Sequence, residues 1–122
     1  MYQISVRQHF DAAHFLRGYK GKCESVHGHR FEVVVTIQSK VLNDIGIAYD
    51  FLELKNNLNE ILSLFDHRSL NDISLFKNIN PSAENIARVI YEELQAKLAE
   101  EPVTLTSVDV WESPENCARY TP

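Results

Sequence analysis

Apolar and polar residues alternate along the first stretch of the chain. Tyr2, Ile4 and Val6 alternate with Gln3, Ser5 and Arg7, and Phe10, Ala12 and His14 continue the even register, which predicts a first strand. A second alternation sets Phe31, Val33, Val35 and Ile37 against Arg30, Glu32, Thr36 and Gln38, predicting a strand to about Ser39. Asn43-Asp44 followed by Gly46 marks a turn, and Ile47 to Tyr49 reads as a short strand. The period then changes. Phe51, Leu54, Leu58, Ile61 and Leu62 recur at helical spacing behind an Asp50/Glu53 pair resembling a capping box, so an amphipathic helix is expected to about Phe65. A second helix is expected with Asn80 as N-cap and Pro81 at its first position, burying Ile86, Val89, Ile90, Leu94 and Leu98 and stopping at Pro102. Val103 to Trp111 is rich in β-branched residues and predicts another strand, with a last short one around Cys117. Few parallel crossovers fit this order, so the expected class is α+β: an antiparallel four-stranded sheet with two helices on one face.

Composition narrows the function classes. A chain of 122 residues, 44% apolar and 24% charged, suits one domain, residues 1–122, with a core of its own. The net charge of −5 argues against nucleic acid as a partner, since phosphate contacts need a basic face. Arg17, Lys20 and Lys22 form a local basic cluster that suits either an anionic small molecule or a solvated loop. No long apolar run or signal peptide is visible, so no membrane association is expected. The two cysteines, Cys23 and Cys117, lack a disulfide framework, and a reducing cytoplasm fits.

The chemistry concentrates at Cys23-Glu-Ser-Val-His-Gly-His29. His27 and His29 lie two apart at the entry of the second strand, where residues i and i+2 face the same way, so both imidazoles point toward one spot. His14, at the end of the first strand, supplies a third if the two strands pair. Three neutral imidazoles with an open fourth position describe a catalytic zinc site, whereas structural zinc is closed by four protein ligands. Cys23 lies four residues before His27, within reach of the same pocket, and a thiol beside a dication titrates low enough to act as a base. His9 falls on the opposite strand face and is left out. Asp66-His67 and Glu112 read, on local chemistry alone, as a turn and an exposed strand end.

Phe10-Asp-Ala-Ala-His14, Cys23-x3-His27-Gly-His29, Asp66-His67 and Trp111-Glu-Ser-Pro114 together resemble the 6-pyruvoyltetrahydropterin synthase / 6-carboxytetrahydropterin synthase family, over nearly the whole chain. The resemblance implies the tunnelling fold, in which trimers close their sheets into a barrel and stack as hexamers, with sites at subunit interfaces. It implies Zn2+ on His14, His27 and His29, and 7,8-dihydroneopterin triphosphate as substrate. Cys23 would be the base, Asp66 and His67 would move a second proton, and Glu112 would anchor the pterin. Ser82 would help hold the pterin or simply cap the second helix. The implied reaction yields 6-carboxy-5,6,7,8-tetrahydropterin, acetaldehyde and triphosphate, on the route to 7-deazaguanines such as queuosine. An alternative product is 6-pyruvoyltetrahydropterin. Glu24, directly after Cys23, resembles the glutamate of relatives that cut to 6-hydroxymethyl-7,8-dihydropterin, so dual activity is a further alternative; otherwise Glu24 is a solvent-facing loop residue. A zinc- or pterin-holding module without turnover is the alternative of another class.

Overall fold

The computed structural model describes residues 1–19 and 25–122. Its centre is a hairpin of two long strands, β1 (Tyr2–His14) and β2 (His27–Ser39), paired antiparallel from Tyr2 opposite Ser39 to His14 opposite His27. The alternation read from the sequence sets the faces: Val6, Phe10, Ala12 and His14 of β1 are buried with Phe31, Val33, Val35 and Ile37 of β2. Phe10 and Phe31 pair across the strands with stacked rings 4.9 Å apart. Direct opposition of two aromatics is a strong register device, since a slip of one residue would turn the whole apolar set to the other face.

Helix α1 (Phe51–Leu62) follows. Its start is fixed by Asp50, whose carboxylate accepts the Leu52 N–H at 2.7 Å. Leu54, Leu58, Ile61 and Leu62 are buried as expected, but Phe51, the first residue of the helix, is 55% exposed. A two-residue strand, β3 (Arg68–Ser69), pairs parallel with Ala12 and Ala13 of β1. Helix α2 (Ala83–Lys97) starts two residues later than the sequence suggests: the N-cap is Ser82, whose hydroxyl accepts the Asn85 N–H at 3.2 Å. Asn80 is instead occupied with Arg17, as described below. Strands β4 (Thr104–Trp111) and β5 (Cys117–Tyr120) complete the sheet.

The sheet order is β3-β1-β2-β4-β5. Four antiparallel strands were expected and are present; β3 makes a fifth, too short to leave a periodic signal. Both helices pack on the face carrying the core, α1 mainly on β1 and α2 on β4 and β5. The expected strand at Ile47 to Tyr49 does not form. There the Asn43 carboxamide accepts the N–H groups of Ile45 and Ile47, both at 3.0 Å, and Gly46 takes φ +82°, so the backbone donors a strand would use are consumed by a turn. No helix among the described residues is long and apolar enough to cross a membrane.

Candidate functional site

The hairpin register decides the site. His14 lies directly opposite His27, and His29 is opposite Ala12, so three imidazoles meet on one face at the open end of the core. Their ring centroids are 4.6 to 5.3 Å apart. Phe31 forms the floor, its ring 5.3 Å from His14 and 5.6 Å from His29. His14 is 2% exposed; His27 and His29 are half-buried.

Backbone carbonyls set the tautomers. His14 Nδ1–H donates to the Pro81 carbonyl, and His27 Nδ1–H to the Ser25 carbonyl, both at 2.7 Å. A carbonyl oxygen can only accept, so the proton of each neutral ring resides on Nδ1 and the Nε2 lone pair is free. Orienting a ligand through its other ring nitrogen is what metal-binding histidines require. The Nε2 atoms of His14 and His29 are buried and have no hydrogen-bond partner among the described residues, an arrangement that is costly unless something else occupies the lone pairs. Burial pushes the His29 imidazole below its ordinary range; Glu112 pulls the other way, and His27 and His14 add to the depression.

Glu112 is the fourth member of this group, which the sequence reading placed with the substrate and not with the histidines. Its Oε1 lies 3.2 Å from Nε2 of both His14 and His29, and 4.0 Å from that of His27. One atom from each of the four side chains falls within 4.8 Å of every other, so they could hold a metal ion between them. The chain did carry a signal for this: Glu112 continues the phase of Val108 and Val110, both fully buried on the histidine face. A bend follows, closed by the Glu112 N–H donating to the Asn116 carbonyl at 3.1 Å.

Asp66 and His67 form a second, more open cluster with Asp11. Asp66 Oδ1 accepts the Asp11 N–H at 2.9 Å, and the His67 N–H donates to the Asp11 carbonyl at 2.6 Å. His67 has φ +59°, a left-handed conformation that histidine tolerates better than most residues but seldom adopts. Its Nε2 is 3.6 Å from Asp66 Oδ2, outside hydrogen-bond reach. His29 and His67 line one open cleft of about 590 Å³, together with Asp11, Arg30 and Ser69. Cys23 and Glu24, along with Lys20 and Lys22 of the basic cluster, lie outside the described residues.

Arg17 has a structural task. Its guanidinium donates to the carbonyls of Phe76, Ile79 and Asn71 at 3.0 to 3.2 Å. Asn71 meets both backbone groups of Phe15, and Asn80 both of Arg17, at 2.9 to 3.0 Å. Two carboxamides therefore imitate a neighbouring strand for the segment leaving His14. Nothing periodic in the sequence signals this, since the partners are over 50 residues apart.

The model of the family described as 6-pyruvoyl tetrahydropterin synthase matches residues 3–122. The chain belongs to this family. Among its relatives, the 6-carboxy-5,6,7,8-tetrahydropterin synthase of Bacillus subtilis is 33% identical, across 99% of this chain and 86% of that one. The dihydroneopterin monophosphate aldolase of Pyrococcus furiosus is 34% identical, across 93% and 91%. The structure of Caenorhabditis elegans 6-pyruvoyl tetrahydropterin synthase superposes with a TM-score of 0.89 at 27% identity, covering 99% of this chain and 95% of the other. As a 6-pyruvoyl tetrahydropterin synthase family member, the chain shares the tunnelling fold of such structures, with two helices and a five-stranded sheet.

Proposed function

We propose that this chain, acting as one domain over residues 1–122, is a zinc-dependent 6-carboxy-5,6,7,8-tetrahydropterin synthase. Its substrate would be 7,8-dihydroneopterin triphosphate and its products 6-carboxytetrahydropterin, acetaldehyde and triphosphate, a step toward 7-deazaguanines such as queuosine in the cytoplasm. The observation that carries this reading is the convergence of three imidazoles, two of them oriented through Nδ1 by backbone carbonyls so that their Nε2 lone pairs are free. The likeness to a synthase of that name supports the product.

His14, His27 and His29 hold the zinc. When bound, zinc supplies Lewis-acid polarisation of the substrate's side-chain hydroxyls, which acidifies the neighbouring C–H. Cys23, four residues before His27 in sequence, takes the proton as thiolate. His67 together with Asp66 moves the second proton; its exposure of 79% leaves the imidazole able to reach a bound molecule. Glu112 anchors the pterin, because a carboxylate accepts two parallel hydrogen bonds from the guanidine-like edge of the ring. Ser82 caps α2 beside Pro81 and helps shape the pterin pocket through that backbone. The chain works as a homo-oligomer, trimer or hexamer, with neighbouring copies completing each site around the exposed Asp66–His67 turn.

Product analysis by mass spectrometry, after zinc-loaded protein meets 7,8-dihydroneopterin triphosphate and with acetaldehyde trapped in parallel, tests this. Carboxytetrahydropterin with acetaldehyde is expected. Pyruvoyltetrahydropterin without acetaldehyde would replace the product assignment, and unchanged substrate would leave a binding module. A second reading has an observation of its own: the relative named as an aldolase, together with Glu24 beside Cys23. It predicts 6-hydroxymethyl-7,8-dihydropterin as a secondary product, lost in Glu24→Gln.

A further inference from the structure

Donor atoms bound to one tetrahedral zinc at about 2.0 to 2.1 Å are separated from each other by about 3.3 to 3.4 Å, the edge of that tetrahedron. Glu112 Oε1 stands 3.2, 3.2 and 4.0 Å from the three imidazole Nε2 atoms. A carboxylate oxygen at the centre of the site would have to lie closer to all three nitrogens, about one metal–ligand bond away. At these separations it sits at the fourth corner instead. From this placement we infer that Glu112 is a fourth metal ligand in the substrate-free protein and leaves the metal to take the pterin, holding one or the other but not both.

The inference rests on the reading of the three histidines as zinc ligands and of Glu112 as pterin anchor. Exclusivity follows from geometry. Gripping a guanidine-like edge takes both carboxylate oxygens in one plane, facing the ring. With Oε1 turned into the histidine cluster, that plane is not available. Room for a second position exists: Glu112 also lines a cleft of about 290 Å³ on its other side, with Ala83, Asn116 and Ala118. Its side chain is 27% exposed and rises from a bend, not from the middle of a strand, so rotation disturbs no ladder hydrogen bond.

The consequence is a site that opens its metal only to a seated pterin. Without one, the carboxylate fills the fourth position and neutralises part of the ion's charge. Once the pterin ring draws Glu112 away, that position becomes free for the hydroxyls of the same molecule. Because coupling is reciprocal, the metal must weaken the binding of a ring that brings no hydroxyls.

Cobalt(II) in place of zinc reads the coordination directly through its d–d absorption. The probe is pterin lacking a C6 side chain, which offers the metal no hydroxyl. In cobalt-loaded full-length protein, Glu112→Gln and Glu112→Ala are each expected to change the spectrum before any pterin is added. Each should also weaken cobalt binding at least about tenfold, no less than the loss of a supporting contact costs. Saturating pterin should move the wild-type spectrum toward that of Glu112→Ala and leave the variant's unchanged. Metal-free wild type should bind this pterin more tightly than the cobalt form. Identical spectra for wild type and both variants, or a wild-type spectrum unmoved at saturating pterin, would overturn the inference while leaving the three-histidine reading intact. Failure of wild type to take up cobalt at all would remove both.

Discussion

His14, His27 and His29 stand on two long paired strands above a phenylalanine floor, 2 to 28% exposed, with the proton of two rings fixed by carbonyls. Asp66 and His67 sit on a turn after α1, 43% and 79% exposed, held by their backbone and by one carboxylate bond while the imidazole makes no hydrogen bond among the described residues. The difference teaches where precision is built in. A ladder of hydrogen bonds fixes the direction of every second side chain, so a strand pair can aim three rings at one point, and the carbonyls only set the ring orientation. A turn fixes the backbone and leaves the side chain to whatever it meets, which suits a proton carrier completed by substrate or by another copy.

The largest break in this comparison is His27→Ala. It should abolish both metal binding and turnover, measured as metal per chain by elemental analysis; retention of one zinc per chain would end the three-histidine reading. Next, Phe10→Ala removes a fully buried ring stacked on Phe31 and should cost about 3 to 5 kcal/mol in urea unfolding, because the core supports the histidine end of the hairpin. Asn71→Ala deletes both hydrogen bonds to Phe15 and leaves the part-buried N–H and carbonyl of Phe15 without that partner. A loss of about 2 kcal/mol is expected, and a change under about 0.5 would deny Asn71 its role as a surrogate strand.

On the turn, His67→Gly relieves a left-handed backbone conformation, so stability should stay within about 1 kcal/mol of wild type while turnover falls by two orders of magnitude or more. Equal turnover would remove His67 from the chemistry. The smallest effect concerns Asp11, which ties the turn to the hairpin. Its bidentate hydrogen bond with Arg30 holds the Asp11 carboxyl below its ordinary value, against an opposing effect of desolvation. The stabilisation is therefore complete above the ordinary carboxylate range and disappears as pH falls through the lowered value. Thermal melts of Asp11→Asn should show a shallower loss of stability than wild type below about pH 4.

Much of this was legible in the chain. The even register from Tyr2 to His14 and the alternation after Arg30 correctly set which faces are buried. That alone sends His14, His27 and His29 to one side once the strands pair. Helical spacing located α1 and α2, although the second starts at Ser82 and not Asn80 because Asn80 is drawn to Arg17. The short strand at Ile47 was misread because alternation over three residues competes poorly with an asparagine side chain that claims the same N–H groups. β3 escaped notice because two residues carry no period.

What the sequence by itself determined is therefore everything periodic: the strands, the helices, the faces, and the three imidazoles that follow from them. Local alternation records burial directly, since each apolar side chain must leave water on its own account. Tertiary structure alone decided the contacts between distant residues. It placed Pro81 against His14, two carboxamides against the segment after His14, and the Glu112 carboxylate at the fourth corner of the histidine cluster. Those contacts are hydrogen bonds and charges that depend on the position of a single atom. Such positions exist only after the chain has closed on itself.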